Sequence, residues 1–129
     1  MIALDTNILL RYLVQDDPVQ SAAATRLLEQ QLTPARPGYV SITALLELDW
    51  VLRSQYLFSA ATVVATLKQL VAADNLVCES STAVREALDY RHGDLADNLL
   101  HLTARASGCS QTLTFDKKFA RLAGVELLA

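Results

Sequence analysis

The chain opens Met1-Ile2-Ala3-Leu4-Asp5-Thr6-Asn7, and the reading of this stretch decides the fold. A short apolar run that ends on a carboxylate and two small polar residues reads as a buried parallel strand, residues 1–5. In open α/β sheets, ligands sit beyond the carboxyl ends of the strands. Asp5 is therefore delivered to that edge within five residues of the start. Behind it, Ile8, Leu9, Leu10, Leu13 and Val14 give Asn7 to Val14 the spacing of a short helix. Strand, acid, helix is thus the opening unit.

Working outward, the same unit recurs. Asp17-Pro18 is a helix start, with Asp17 as cap and Pro18 in the first turn, and a helix is expected to about Gln31 with Ala23, Leu27 and Leu28 on one face. Thr33-Pro34-Ala35-Arg36-Pro37-Gly38 is rich in breakers and reads as a loop. Tyr39 to Ile42 reads as a strand entering a helix near Thr43 that runs to about Tyr56. Ser59 caps the next helix, to about Ala73, followed by a strand at Leu76-Val77-Cys78. Ser81 opens a helix that ends before His92-Gly93, and Asp94 to Ala106 form another, stopped by Gly108. Gln111 to Phe115 reads as a strand, Lys117 to Ala123 as a short helix and Val125 to Leu128 as a final strand. Strands alternating with helices imply a mainly parallel central sheet covered on both faces, a three-layer α/β/α sandwich.

The 129 residues suit a single domain, 1–129, and at 52% apolar they supply a full core without disulfides or structural metal. Cys78 and Cys109 are expected as free thiols in a reducing, cytoplasmic setting. There is no apolar run long enough for a membrane span, and neither a basic n-region nor an apolar h-region of a signal peptide at the N-terminus. A net charge of −3 argues against gripping nucleic acid by bulk positive charge. It is compatible with a cage of acids that a cation neutralises.

Four acids stand out. Asp5 ends the first strand, Asp116 ends the strand before Lys117, Glu47 interrupts the apolar run Ala44-Leu45-Leu46-Glu47-Leu48, and Asp97 follows Asp94 at a helix start. Each has a structural alternative. Asp5 and Asp116 are natural helix caps. Glu47 is expected to face partly inward, with an exposed helix position or a pair with Arg53 as the alternative. Asp94 fits the capping duty of its helix, which leaves Asp97 to project. Together, however, the acids share one edge if the strands are parallel, because helices that follow parallel strands begin where those strands end. Clustered carboxylates repel unless a cation compensates. An all-oxygen set suits Mg²⁺ or Mn²⁺, which activate water and stabilise the leaving oxygen in phosphodiester cleavage. His101, one turn beyond Asp97, reads as a rim or packing residue rather than a ligand.

Four segments carry a family resemblance across essentially the whole chain. They are Leu4-Asp5-Thr6-Asn7-Ile8-Leu9, Thr43-Ala44-Leu45-Leu46-Glu47, Gly93-Asp94-Leu95-Ala96-Asp97-Asn98-Leu99-Leu100 and Thr114-Phe115-Asp116-Lys117-Lys118-Phe119. In order and spacing the chain resembles PIN-domain proteins, and more narrowly the VapC-type toxins of bacterial toxin–antitoxin pairs. The resemblance implies a PIN-like α/β/α fold and an endoribonuclease that binds Mg²⁺ or Mn²⁺ through Asp5, Glu47, Asp97 and Asp116. It implies attack by a metal-activated water to leave a 5′-phosphate and a 3′-hydroxyl. Asp94 matches a secondary acid, and Thr6, Asn7 and Thr114 match positions that support the acidic ligands. Asn98 stands where a small residue is expected, which alters the rim and not the ligand set. The resemblance further implies a homodimer, RNA as substrate and a cognate VapB-like antitoxin. That antitoxin would place a segment in the active-site groove, and would link the protein to DNA only indirectly.

Arg11, Arg91, Lys117 and Lys118 lie near the expected edge, where they would hold RNA phosphates; the alternative for each is a solvated helix face. Tyr12, Trp50 and Tyr56 are candidates for stacking on a base, with core or interface packing as the commoner role. Two other nucleases fit the same acids, an RNA-processing PIN enzyme and a metal-dependent DNase, as does a PIN module that binds without cleaving. A phosphoaspartyl enzyme with Asp5 as nucleophile fits less well. Asn7 stands where such a phosphatase needs its second Asp.

Overall fold

The computed structural model describes residues 1–90 and 93–129, so Arg91 lies outside the described residues. The chain forms two compact units, Met1–Ser81 and Thr82–Ala129.

In the first unit, β1 (Ile2–Ala3), β2 (Gly38–Val40) and β3 (Leu76–Cys78) form a parallel sheet in the order β1-β2-β3. Ile2 lies opposite Gly38, and Gly38 opposite Leu76. Parallel neighbours cannot be joined by a hairpin and need crossovers. These are α1 (Thr6–Val14) and α2 (Pro18–Arg26) between β1 and β2, then α3 (Ile42–Ser54) and α4 (Ala60–Ala72) between β2 and β3. The first strand is shorter than the apolar run suggested. Leu4 is buried after it and Asp5 already stands at the N-cap of α1.

Local chemistry sets the helix starts. Asp17 Oδ1 accepts from the Val19 and Gln20 amides, with Pro18 in the first turn. Ser41 Oγ accepts from the Ala44 amide at 3.1 Å, which ends β2 at Val40 instead of Ile42. Ser59 caps α4 in the same way. The helix expected to run to Gln31 is α-helical only to Arg26. It closes in a π-turn over Leu27–Gln31, with the Leu32 amide donating to the Leu27 carbonyl, and buries Ala24 and Leu28 rather than Ala23. Gly38 is required where β2 begins. A Cβ there would lie 2.9 Å from Leu4 Cδ1 and from Leu32 Cδ1. Leu9, Val40, Leu45, Leu48, Leu52, Val63 and Leu67 are almost fully buried, each contributing about 1.5–3 kcal/mol by burial.

The second unit holds α5 (Ser81–Asp89, its first residue on the boundary), α6 (Leu95–Ala106), β4 (Thr112–Thr114) and β5 (Val125–Leu127). β4 and β5 pair in parallel, Thr112 opposite Val125 and Thr114 opposite Leu127. The strands are thus parallel throughout, as the alternation implied, in one three-stranded and one two-stranded sheet. The helix expected at Lys117–Ala123 is a single 3₁₀ turn, Phe119–Arg121. Gly124, at φ +87°, leads into β5 and lies against the His101 ring. His101 is buried, with Nδ1 2.8 Å from Thr112 Oγ1 and Nε2 without a hydrogen-bond partner among the described residues. It is a packing residue of this unit. Neither cysteine forms a disulfide, and among the described residues no helix is long and apolar enough to cross a membrane.

Candidate active site

In the first unit, Asp5 and Glu47 are held by helices that follow adjacent parallel strands. Asp5 occupies an N-cap, yet its side chain makes no capping hydrogen bond, unlike Asp17, Ser41, Ser59 and Asp94. The capping alternative for Asp5 is therefore not what its carboxylate does. Behind it Thr6 is buried, while Asn7 is exposed beside it.

Glu47 corrects an expectation. It lies in the second turn of α3 and is exposed, not partly inward. The buried acid of this helix is Asp49, 7% exposed, which holds Arg53 in a two-pronged pair. Arg53 Nε lies 3.0 Å from Oδ1 and Nη2 2.6 Å from Oδ2. Arg53 thus pairs with Asp49, one turn away, and Glu47 is left facing solvent. The sequence carried a signal for this pair, since an Asp four residues before an Arg shares its helix face.

The second unit gathers Asp94, Asp97 and Asp116 around one cleft of about 770 Å³. Two of these acids have local duties. Asp94 Oδ1 accepts from the amides of Ala96 (2.7 Å) and Asp97 (3.3 Å), capping α6. Asp116 Oδ1 accepts from the Lys118 amide at 2.8 Å, and its own amide donates to Thr114 Oγ1 at 3.0 Å. Thr114 therefore supports Asp116 as expected, through the backbone. Asp97 has no such compensation, for no hydrogen bond to its carboxylate is present among the described residues. Burial, and then the charges of Asp94 and Asp116, push its carboxyl above the usual carboxylate range. An acid raised by like charges is one that a cation would relieve.

The remaining cleft walls are Tyr90, Gly93, Asn98, Lys118, Phe119, Arg121 and Leu122. Of the expected phosphate contacts, Lys118 lines the cleft and Lys117 is exposed. Arg11 is engaged within the first unit, by Asp16 at 2.8 Å, Gln20 at 3.0 Å and Tyr56 at 3.4 Å. The aromatic candidates divide likewise. Tyr56 donates to Asp16 and Tyr12 to Glu29, while Trp50 is 58% exposed. Sequence reasoning missed Tyr90 and Arg121. A tyrosine at a helix end and an arginine in a 3₁₀ turn carry no local signature.

The donor chemistry fits a hard divalent cation. Asp94 and Asp116 each use only one carboxylate oxygen for capping, and Asp97 uses neither. As they stand, no three His, Cys, Asp or Glu side chains among the described residues converge closely enough to enclose an ion. Asp5 and Glu47 belong to the first unit, the other three acids to the second.

Compared with known proteins, residues 2–125 match a family model described as PIN domain. The crystal structure of VapC20 from Mycobacterium tuberculosis, described as a sarcin-ricin loop cleaving toxin, is similar to this chain over 98% of each, with 19% sequence identity and a TM-score of 0.47. No curated protein matches the sequence.

Proposed function

Because the chain belongs to the PIN-domain family, we propose that it is a metal-dependent endoribonuclease, the toxin of a VapBC-like toxin–antitoxin pair. The observation that carries this reading is Asp97, an uncapped carboxyl raised by burial and by Asp94 and Asp116 in a cleft open to solvent. Asp5, Glu47, Asp97 and Asp116 hold Mg²⁺ or Mn²⁺ in this reading. Asp94 stands behind them, and Thr6, Asn7 and Thr114 are their supports. The bound cation supplies Lewis acidity and a water of lowered pKa. The chain's own contribution is placement. The caps made by Asp94 and Asp116 fix the directions of their free carboxylate oxygens, and Thr114 fixes the turn that carries Asp116. Lys118, which lines the same cleft as the acids, holds substrate phosphate. The products are a 5′-phosphate and a 3′-hydroxyl. The working state is a homodimer in the cytoplasm, restrained by a VapB-like antitoxin that alone contacts DNA.

The capping bonds of Asp94 and Asp116, which occupy one carboxylate oxygen of each, favour a second reading, a PIN module that binds without cleaving. One experiment distinguishes them. Purified protein is incubated with total cellular RNA in Mg²⁺, in Mn²⁺ and in EDTA, beside Asp5→Asn and Asp97→Asn variants. Discrete metal-dependent products that vanish in both variants support the ribonuclease. No cleavage by folded, metal-loaded protein supports the binding module.

A further inference from the structure

The cleft of the second unit contains more than its acids. On one side Tyr90 closes the wall, and its hydroxyl donates to Glu86 Oε2 at 2.9 Å. The same oxygen receives Arg105 Nη2 at 2.8 Å, so Glu86 ties the end of α5 to α6 and fixes the tyrosine at its polar tip. A ring anchored by its hydroxyl and half-buried is a rigid platform, which loses little entropy when something stacks on it. Phe119 and Leu122 add apolar wall. Lys118 and Arg121 add positive charge, and among the described residues neither pairs with a carboxylate. An acidic metal site alone requires neither a fixed aromatic ring nor unpaired cations beside it. The volume, about 770 Å³, lies within the range of pockets that take a small organic molecule.

We infer that this cleft is a one-nucleotide subsite, in which Tyr90 is the platform for an unpaired base and Lys118 with Arg121 seats its phosphate. The inference rests on the ribonuclease reading and deepens it. A base can reach the ring only when it is splayed from a helix, so the substrate is a single strand or a loop at this position, and duplex RNA is rejected. Glu86 is a positioning residue that acts through Tyr90.

The test separates binding from cleavage. The full-length protein is titrated in EDTA into a fluorescein-labelled, unpaired oligoribonucleotide, followed by anisotropy. The same RNA is also presented as a duplex, and in forms that carry one abasic nucleotide at each position in turn. Tyr90→Leu is expected to weaken binding roughly 5- to 150-fold, the value of one base–aromatic stack. Tyr90→Trp is expected to keep it, and Tyr90→Leu to bind abasic and intact RNA alike. Lys118→Ala with Arg121→Ala is expected to lower the salt dependence of log K by about 0.7, for one single-strand phosphate. Both cations are on the exposed surface, so this variant folds, and circular dichroism checks it. Equal binding of duplex and single strand, or Tyr90→Leu and the double variant binding as wild type does, overturns the subsite and leaves the apolar wall to a protein segment. Metal-dependent cleavage by wild type would then show that the ribonuclease reading survives without it. Absence of both binding and cleavage would defeat both readings.

Discussion

Replacing Asp97 by Asn should make the metal-free protein more stable while removing its response to metal. Asp97 has two acidic neighbours, Asp94 and Asp116, and no compensating hydrogen bond to its carboxylate among the described residues. Even at the dielectric of bulk water, two unit charges at close range repel by about 1 kcal/mol. The cleft opens to solvent, which screens roughly half of this, so two neighbours together cost about 1 kcal/mol. Asparagine keeps the shape and removes the charge, and the Asp94 cap accepts from the backbone of residue 97 whatever its side chain. For a chain of this size, about 1 kcal/mol raises Tm by about 3–5 °C. A divalent cation held at 100 times its Kd stabilises wild type by about 2.7 kcal/mol, or about 8–13 °C. The assay is thermal unfolding by circular dichroism at low salt, with EDTA or Mg²⁺. Glu126→Gln serves as a control for net charge, since Glu126 is exposed on β5. A lower Tm for Asp97→Asn in EDTA, or a Mg²⁺ shift equal to that of wild type, would refute the reasoning.

The same acid gives a pH dependence. Because its folded pKa is raised, the stabilisation gained by protonating Asp97 is fully present below the ordinary carboxylate pKa and is lost as pH rises through the folded value. Mg²⁺ must displace that proton, so affinity measured by calorimetry should fall as pH is lowered toward the carboxylate range, with proton release there. In α3, Arg53→Ala should destabilise more than Asp49→Ala. The first removes the paired charge from a carboxylate whose side chain is 10% exposed, whereas the guanidinium kept by the second is 41% exposed and reaches water. About 2–4 kcal/mol against about 1–2 kcal/mol is expected from urea unfolding, and equal losses would contradict the burial argument. Gly124→Ala should cost about 2–3 kcal/mol, from φ +87° and a Cβ 3.0 Å from His101 Cε1. In a His101→Ala background the steric part should disappear, and a double-mutant cycle that shows no coupling would remove His101 as the obstacle.

Much of the architecture was legible because it depends on near neighbours. The 3.6-residue apolar stripes, the caps at Asp17 and Ser59 and the breakers at Pro34 and Pro37 are local chemistry, and the parallel arrangement follows from strand–helix alternation. Boundaries failed where a competing local bond won. Ser41 became a cap instead of a strand residue, and the segment after Asp116 closed as a 3₁₀ turn.

The candidate site divides along the same line. The sequence by itself determined the family, through four acids in order along 129 residues, and it singled out Asp97 beside a capping Asp94. Only the tertiary structure decided which acid of α3 is buried, because an i,i+4 pair leaves Asp49 satisfied by Arg53 and Glu47 exposed. Only it placed Tyr90 and Arg121 beside Asp97. Arg121 is brought there by the packing of a segment distant in sequence, and no local pattern encodes such an approach. Charge and periodicity are properties of a chain, whereas the environment that raises Asp97 exists only once the chain has folded around it.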